Sequence, residues 1–409
     1  MRNHILPSVL VLSVLFGAFA NIVGVDASSS TAPITAANSK SGRRRLMMAE
    51  ADAMHALAVT HEMRVHTAAQ CAQEEGGSLL DTLSQRARVS TREVIYLLGD
   101  STMRQQFIEL CDTLSVLPGY ALREIELPKT VHPIKHERTL HIASVTIDGM
   151  HLLAAFQGKR LSAWFDIERG AASFSFAAWR AFLPKPTLVY VTGGLHLLHL
   201  GLEKSIYWNQ KSSRTLLAAE KILQEFLDMT VVETGAAVVV SLLPAICDNK
   251  WTNDRGGRNG ARNFGDAVTL LKGNPEAACA EFIQAYTLLY PLAMIRKDEI
   301  IAMCLNSALT RRGAHHLNER LLNAVDAWVA KNPASSNQVR VLNLFKLTES
   351  ECANAPEGDA MHFPELRTRR FVTLMNCFYD IMKVAPPQVD SAIAEIADVR
   401  SMLRTLVIN

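Results

Sequence analysis

The chain carries almost no surplus charge: 42 Lys and Arg stand against 40 Asp and Glu, a formal net charge of +2 over 409 residues. Such a balance builds no strong field for a polyanion, so nucleic acid is not an expected partner. There is no Gly-x-x-x-x-Gly-Lys-Ser/Thr loop to cradle phosphates and no dinucleotide fingerprint, which removes support for kinase or dehydrogenase chemistry. There is also no Cys-x-x-Cys, and His196/His199 and His315/His316 lack nearby thiols, so neither a metal nor another cofactor is expected. The seven cysteines are too few for a disulfide scaffold but enough for two or three bridges, with at least one left unpaired or bound to another chain. Cys352 with Cys377 is one candidate pair, and Cys247 with Cys279 or Cys304 is another.

Composition is that of an ordinary globular protein, 49% hydrophobic and 20% charged. The N-terminus departs from it. Met1-Arg2-Asn3-His4 is a short basic start, Ile5 to Phe19 is almost wholly apolar, and Ala18-Phe19-Ala20 or Val25-Asp26-Ala27 supplies small residues at cleavage spacing. Residues 1–27 therefore read as a secretory signal peptide, or as an uncleaved signal anchor, which is the one route by which a membrane would be a partner. Ser, Thr, Ala and Asn without apolar period mark 28–46 as a flexible linker. Residues 47–90 read as a helical lead-in, 91–385 as the main domain and 386–409 as a C-terminal helix or tail.

The main domain opens with Val94-Ile95-Tyr96-Leu97-Leu98, a buried strand by its unbroken apolar run, followed at once by Gly99-Asp100-Ser101. Arg104 then begins a helical pattern with Phe107, Leu110, Cys111 and Leu114 on one face. Ser101 thus falls on a strand-to-helix corner, where its hydroxyl can project into a cleft and first-turn N–H groups can stabilise an oxyanion. Ser and Asp are equally common as helix caps, so the tripeptide alone does not decide between the two uses.

A nucleophilic serine needs a base, and the base needs an acid to orient it. Gly358-Asp359-Ala360-Met361-His362-Phe363-Pro364 offers both within one short loop. Between these motifs strand-like and helix-like runs alternate, the pattern of a parallel sheet covered on both faces. His141–Ile147 and His151–Phe156 flank Asp148-Gly149, a hairpin signal read as an excursion or an antiparallel edge. Thr187–Thr192, Ala236–Leu243 and Val339–Phe345 read as further strands; Ser212–Thr230 and Ala314–Val329 read as amphipathic helices. Ser101, Gly193/Gly194, Pro244 and Asp359/His362 all follow strand ends, the edge where open α/β sheets bind ligands.

The pair of motifs resembles the SGNH hydrolases, and within them the PC-esterase group that includes the trichome-birefringence-like polysaccharide O-acetyltransferases and the sialate O-acetyltransferases. That group's Gly-Asp-Ser-x-x-Arg element is matched by Gly99, Asp100, Ser101 and Arg104, and its Asp-x-x-His element by Asp359 and His362. A Thr-Gly-His block of the plant enzymes has a looser counterpart in Thr192-Gly193-Gly194-Leu195-His196, and the Gly-x-Asn-Asp of many other SGNH hydrolases is missing.

The resemblance implies a three-layer α/β/α fold with a mostly parallel central sheet, and a serine esterase or O-acetyltransferase acting on acyl, chiefly acetyl, esters of a glycan. The catalytic residues would be Ser101, Asp359 and His362. Asp100 and Arg104 would brace the corner as a charged pair, and Gly158 or Gly193/Gly194 would add N–H groups to the oxyanion site. His196, Trp251 and Arg255 are candidates for substrate binding, Trp251 by stacking on a sugar and Arg255 by charge. The partners would be a glycan or other acylated small molecule and an acetyl donor. The alternative from another class is a catalytically silent secreted protein of the same fold, a binding or effector module.

Overall fold

The computed structural model describes residues 68–71, 77–127, 138–158, 165–166, 171–172, 179, 181–192, 195–198, 219–232, 234–254, 262–289, 291, 294–356 and 360–384. The expected signal segment, linker and C-terminal tail lie outside them. Among the described residues, seven strands form one sheet: β1 Arg92–Gly99, β2 Ala121–Glu126, β3 Thr139–Ile147, β4 Met150–Gly158, β5 Leu188–Thr192, β6 Ala237–Ser241 and β7 Val339–Leu342. Their order is β7-β6-β5-β1-β4-β3-β2, parallel from β7 to β4 and antiparallel from β4 to β2. The labelled helices are α1 Leu79–Ala87, α2 Ser101–Leu114, α3 Phe264–Gly273, α4 Ala280–Leu289, α5 Lys297–Asn306, α6 Arg311–Lys331, α7 Leu344–Glu349 and α8 Arg367–Val384.

The three layers follow from the period of the strands. Alternate residues point to opposite faces, and because the inner strands are apolar at both parities they demand cover on both. Val94, Tyr96 and Leu98 join Val189, Val191, Val238 and Val240 on one face, packed against residues 219–227 and α6. Ile95 and Leu97 join Tyr190 and Val239 on the other, under α1, α2 and α8. A smaller cluster, with Leu271, Phe282, Ile300 and Met303, joins α3, α4 and α5.

This arrangement fixes where a cleft opens. The connection after β1 lies on one face (α2) and that after β5 crosses the other (219–227), so the carboxyl ends of β1 and β5 diverge at a topological switch point. The expected site residues Ser101 and Gly193/Gly194 follow these two strands.

Several expectations are corrected. The Asp148-Gly149 turn forms, with Ile147 paired to Met150 and both turn residues at positive φ (+47° and +88°). Of the two expected places the hairpin takes the antiparallel edge and not the excursion, β3 and β2 running antiparallel at one end of the sheet. β4 lies directly beside β1, with Gly99 opposite Gly158, because its Leu152–Phe156 run is buried at both parities and takes an inner place. The last strand stops at Leu342 rather than Phe345, because the Asn343 side chain accepts the Lys346 N–H at 3.0 Å and caps α7. Helix α6 runs beyond Ala314–Val329 to Arg311–Lys331, capped by Thr310.

The lead-in is helical at α1, but residues 68–71 are extended along β7: Cys71 N–H bonds Val341 O at 2.8 Å and Val341 N–H bonds Ala69 O at 3.0 Å. They cover a sheet edge whose backbone groups would otherwise be unpaired. With Leu79 and Leu83 in the core, the folded unit begins before residue 91.

The bridges are Cys71–Cys377, Cys247–Cys352 and Cys279–Cys304, leaving Cys111 free and buried. Cys352 and Cys377 do not pair with each other; each ties its segment to a different, distant part of the chain. Three disulfides are compatible with an oxidising compartment. Among the described residues, no helix is long and apolar enough to cross a membrane.

Candidate active site

The corner that carries Ser101 is built from its immediate neighbours. Gly99 closes β1 where backbones crowd: a Cβ there would stand 2.5 Å from Thr192 Cγ2 and 2.7 Å from Met103 Cβ. Only glycine lets β1, β5 and the first turn of α2 approach so closely. Asp100 is the N-cap of α2, its Oδ1 accepting from Thr102 N–H at 2.9 Å and from the Thr102 hydroxyl at 2.7 Å. Ser101 is then the first residue of the helix, half-buried, with its N–H among the first-turn donors that a helix leaves without an internal acceptor.

His362 reaches this corner from the other end of the chain. Its Nε2 lies 3.1 Å from Ser101 Oγ across 261 residues of sequence. That is the distance a base needs to take the hydroxyl proton. His362 is also half-buried, so the pair is sheltered and yet reachable.

The His362 loop is held by the segment that follows β6. Cys247 N–H donates to Ala360 O at 2.8 Å, and Cys247 is bonded to Cys352. That segment is itself pinned: Ala245 N–H donates to Thr348 Oγ1 at 2.7 Å, while Asn318 accepts from Leu243 N–H at 2.8 Å and donates to Leu243 O at 3.1 Å. On its other flank Phe363 is buried, and Pro364–Leu366 turns the chain into α8. Phe371, Leu374, Met375 and Phe378 then anchor that helix in the core beneath the sheet.

The remaining candidates divide. Gly158 ends β4 in register with Gly99, on the edge where Ser101 stands. Asp100 works as a cap and not as half of a charged brace: Arg104 is exposed, and no ion pair joins the two. Trp251 is 9% exposed and packs in the core, so its ring is not the open face that sugar stacking requires. His196 falls in the short 3-10 turn Leu195–Leu197 beyond β5. Asp359, Gly193, Gly194 and Arg255 lie outside the described residues. What sequence reasoning did not find is the hold on the His362 loop, since neither Asn318 nor Thr348 stands near His362 in the chain.

Compared with protein-family models, and with curated protein sequences, the chain matches none.

Proposed function

We propose that this protein is a serine esterase or O-acetyltransferase of the secretory route, working on acyl esters of a glycan through an acyl-Ser101 intermediate. The observation that carries the reading is the 3.1 Å approach of Ser101 Oγ to His362 Nε2 at a helix N-terminus, on the carboxyl edge of a parallel sheet. Ser101 Oγ attacks the ester carbonyl while His362 takes its proton. The tetrahedral oxyanion is met by the Ser101 N–H, with Gly158 or Gly193/Gly194 as second donor. Collapse expels the sugar alkoxide, which His362 protonates, leaving the acyl group on Ser101. Water, or a hydroxyl of a second glycan, then gives its proton to His362 as it attacks, and His362 passes that proton to Ser101 Oγ as the acyl–oxygen bond breaks. Asp359, three residues before His362, is the group assigned to orient the imidazole.

The acetyl group and the glycan come from the resemblance to PC-esterases; the secretory compartment comes from the N-terminal segment and fits the three bridges.

A fluorophosphonate probe tests the reading. The wild-type protein is expected to be labelled and Ser101→Ala to stay unlabelled, with nitrophenyl acetate hydrolysis lost in the same variant. A wild-type protein that resists the probe would favour the silent binding protein instead. Incubating labelled acetyl donor with glycan acceptors and following the acetyl group by mass spectrometry separates transfer from hydrolysis.

A further inference from the structure

One buried charge is not accounted for by the fold. Arg370, in the first turn of α8, is 0% exposed, and all three of its guanidinium nitrogens lack an acceptor. Burial pushes its pKa down to about 10, with Tyr190 opposing the fall and Arg367 adding to it, so it is cationic at neutral pH. No carboxylate among the described residues pairs with it. An unpaired buried charge is among the most costly placements a side chain can have, and an apolar residue of the same shape normally serves the fold better.

What Arg370 touches suggests why it is there. Its guanidinium carbon stands 5.7 Å from the centre of the Phe363 ring, and Phe363 is the residue after His362. Its charge also acts on Tyr190, whose hydroxyl donates to Gln106 Oε1 at 3.2 Å on α2, the helix that Ser101 begins. The cation therefore lies between the base loop and the core of the nucleophile's helix. A cation over an aromatic face attracts it most strongly where water is excluded, and here exclusion is complete. We propose that Arg370 is a positioning residue, holding the Phe363 ring by a cation–π contact and thereby setting His362 against Ser101. The inference rests on the serine–histidine reading of the site.

A purely structural role and a positioning role predict opposite behaviour for Arg370→Met. If the charge is kept for positioning, its removal relieves the buried cation while loosening His362. The melting temperature of the full chain should then rise by about 2 °C or more, while the fluorophosphonate labelling rate and kcat for a small ester fall about 10- to 100-fold, with KM little changed. Arg370→Lys, which keeps the charge without the planar fork, should recover part of that loss. Phe363→Leu should slow labelling to a similar degree, and the double variant should be no slower than the slower single one, since both act through one contact.

Wild-type labelling rates in Arg370→Met or in Phe363→Leu would overturn the inference. So would an Arg370→Met protein that melts lower or does not fold, because the charge would then be supporting the fold. A wild-type protein that the probe never labels would overturn the serine-enzyme reading and this inference with it. A labelled wild type with an equally reactive Arg370→Met would overturn this inference alone.

Discussion

Ser101 and His362 end 3.1 Å apart, but the two are held by different kinds of structure. The Ser101 corner is local. Gly99 permits the close approach, Asp100 caps the helix, and the strand and helix on either side are contiguous in sequence. The His362 loop is held from elsewhere: by Cys247 through a disulfide to Cys352 and a hydrogen bond to Ala360, by the Leu243–Cys247 segment that Asn318 and Thr348 pin, and by α8 packed under the sheet. The difference teaches that a serine at a strand-to-helix corner can be set by a motif of a few residues, whereas the histidine it meets depends on the assembled domain.

The largest effect should come from cutting the remote hold. Replacing Cys247 and Cys352 together by Ser opens a link spanning 105 residues of sequence, and stability in chemical denaturation should fall by about 2–5 kcal/mol. Labelling of Ser101 should slow in the same protein, since Ala360 and His362 lose their tether. Unchanged labelling would show that the His362 loop is as locally defined as the corner, and the contrast would be gone.

A smaller loss is expected from crowding the corner itself. Gly99→Ala places a methyl 2.5 Å from Thr192 Cγ2, and the strain should cost about 1–3 kcal/mol in urea unfolding. A neutral result would mean that β1, β5 and α2 part easily, and that the corner is less rigid than its packing indicates.

The smallest effect belongs to the cap. Asp100→Ala removes the acceptor of Thr102 N–H and should cost about 1 kcal/mol, while Asp100→Asn, which still caps, should lie within a few tenths of wild type. Equal losses in both would mean that the carboxylate charge matters beyond capping, as the charged brace with Arg104 would have required.

How much of this was legible follows the same division. The strand, turn and helix around Ser101 were readable because apolar runs, a glycine and a cap act on neighbours within a few residues. The hairpin turn at Asp148-Gly149 was readable for the same reason, with an antiparallel edge as one of two places for its strands, but the inner position of β4 was not. Whether β4 stands at an edge or beside β1 depends on which surfaces remain to be covered once every strand is present. Trp251 misled in the other direction. A tryptophan amid glycines and arginines reads as exposed, yet it is buried in the core.

The disulfides show the limit most plainly. Seven cysteines allow many pairings, and Cys352 and Cys377 are candidates because they flank the Asp359/His362 loop, whereas folding carried Cys71 to Cys377 and Cys247 to Cys352. Arg370 was not singled out in the sequence either, since nothing in its neighbours marks one arginine of Arg367-Thr368-Arg369-Arg370 as the one that becomes buried. By itself, then, the sequence determined the α/β class, the corner that holds Ser101 and the two motifs that belong to one site, all from short-range periodicity and local hydrogen bonding. Only the tertiary structure decided strand order, cysteine pairing, the burial of Trp251 and Arg370, and the meeting of Ser101 with His362 across 261 residues. Those depend on which surfaces meet when the whole chain packs, and no local pattern encodes that.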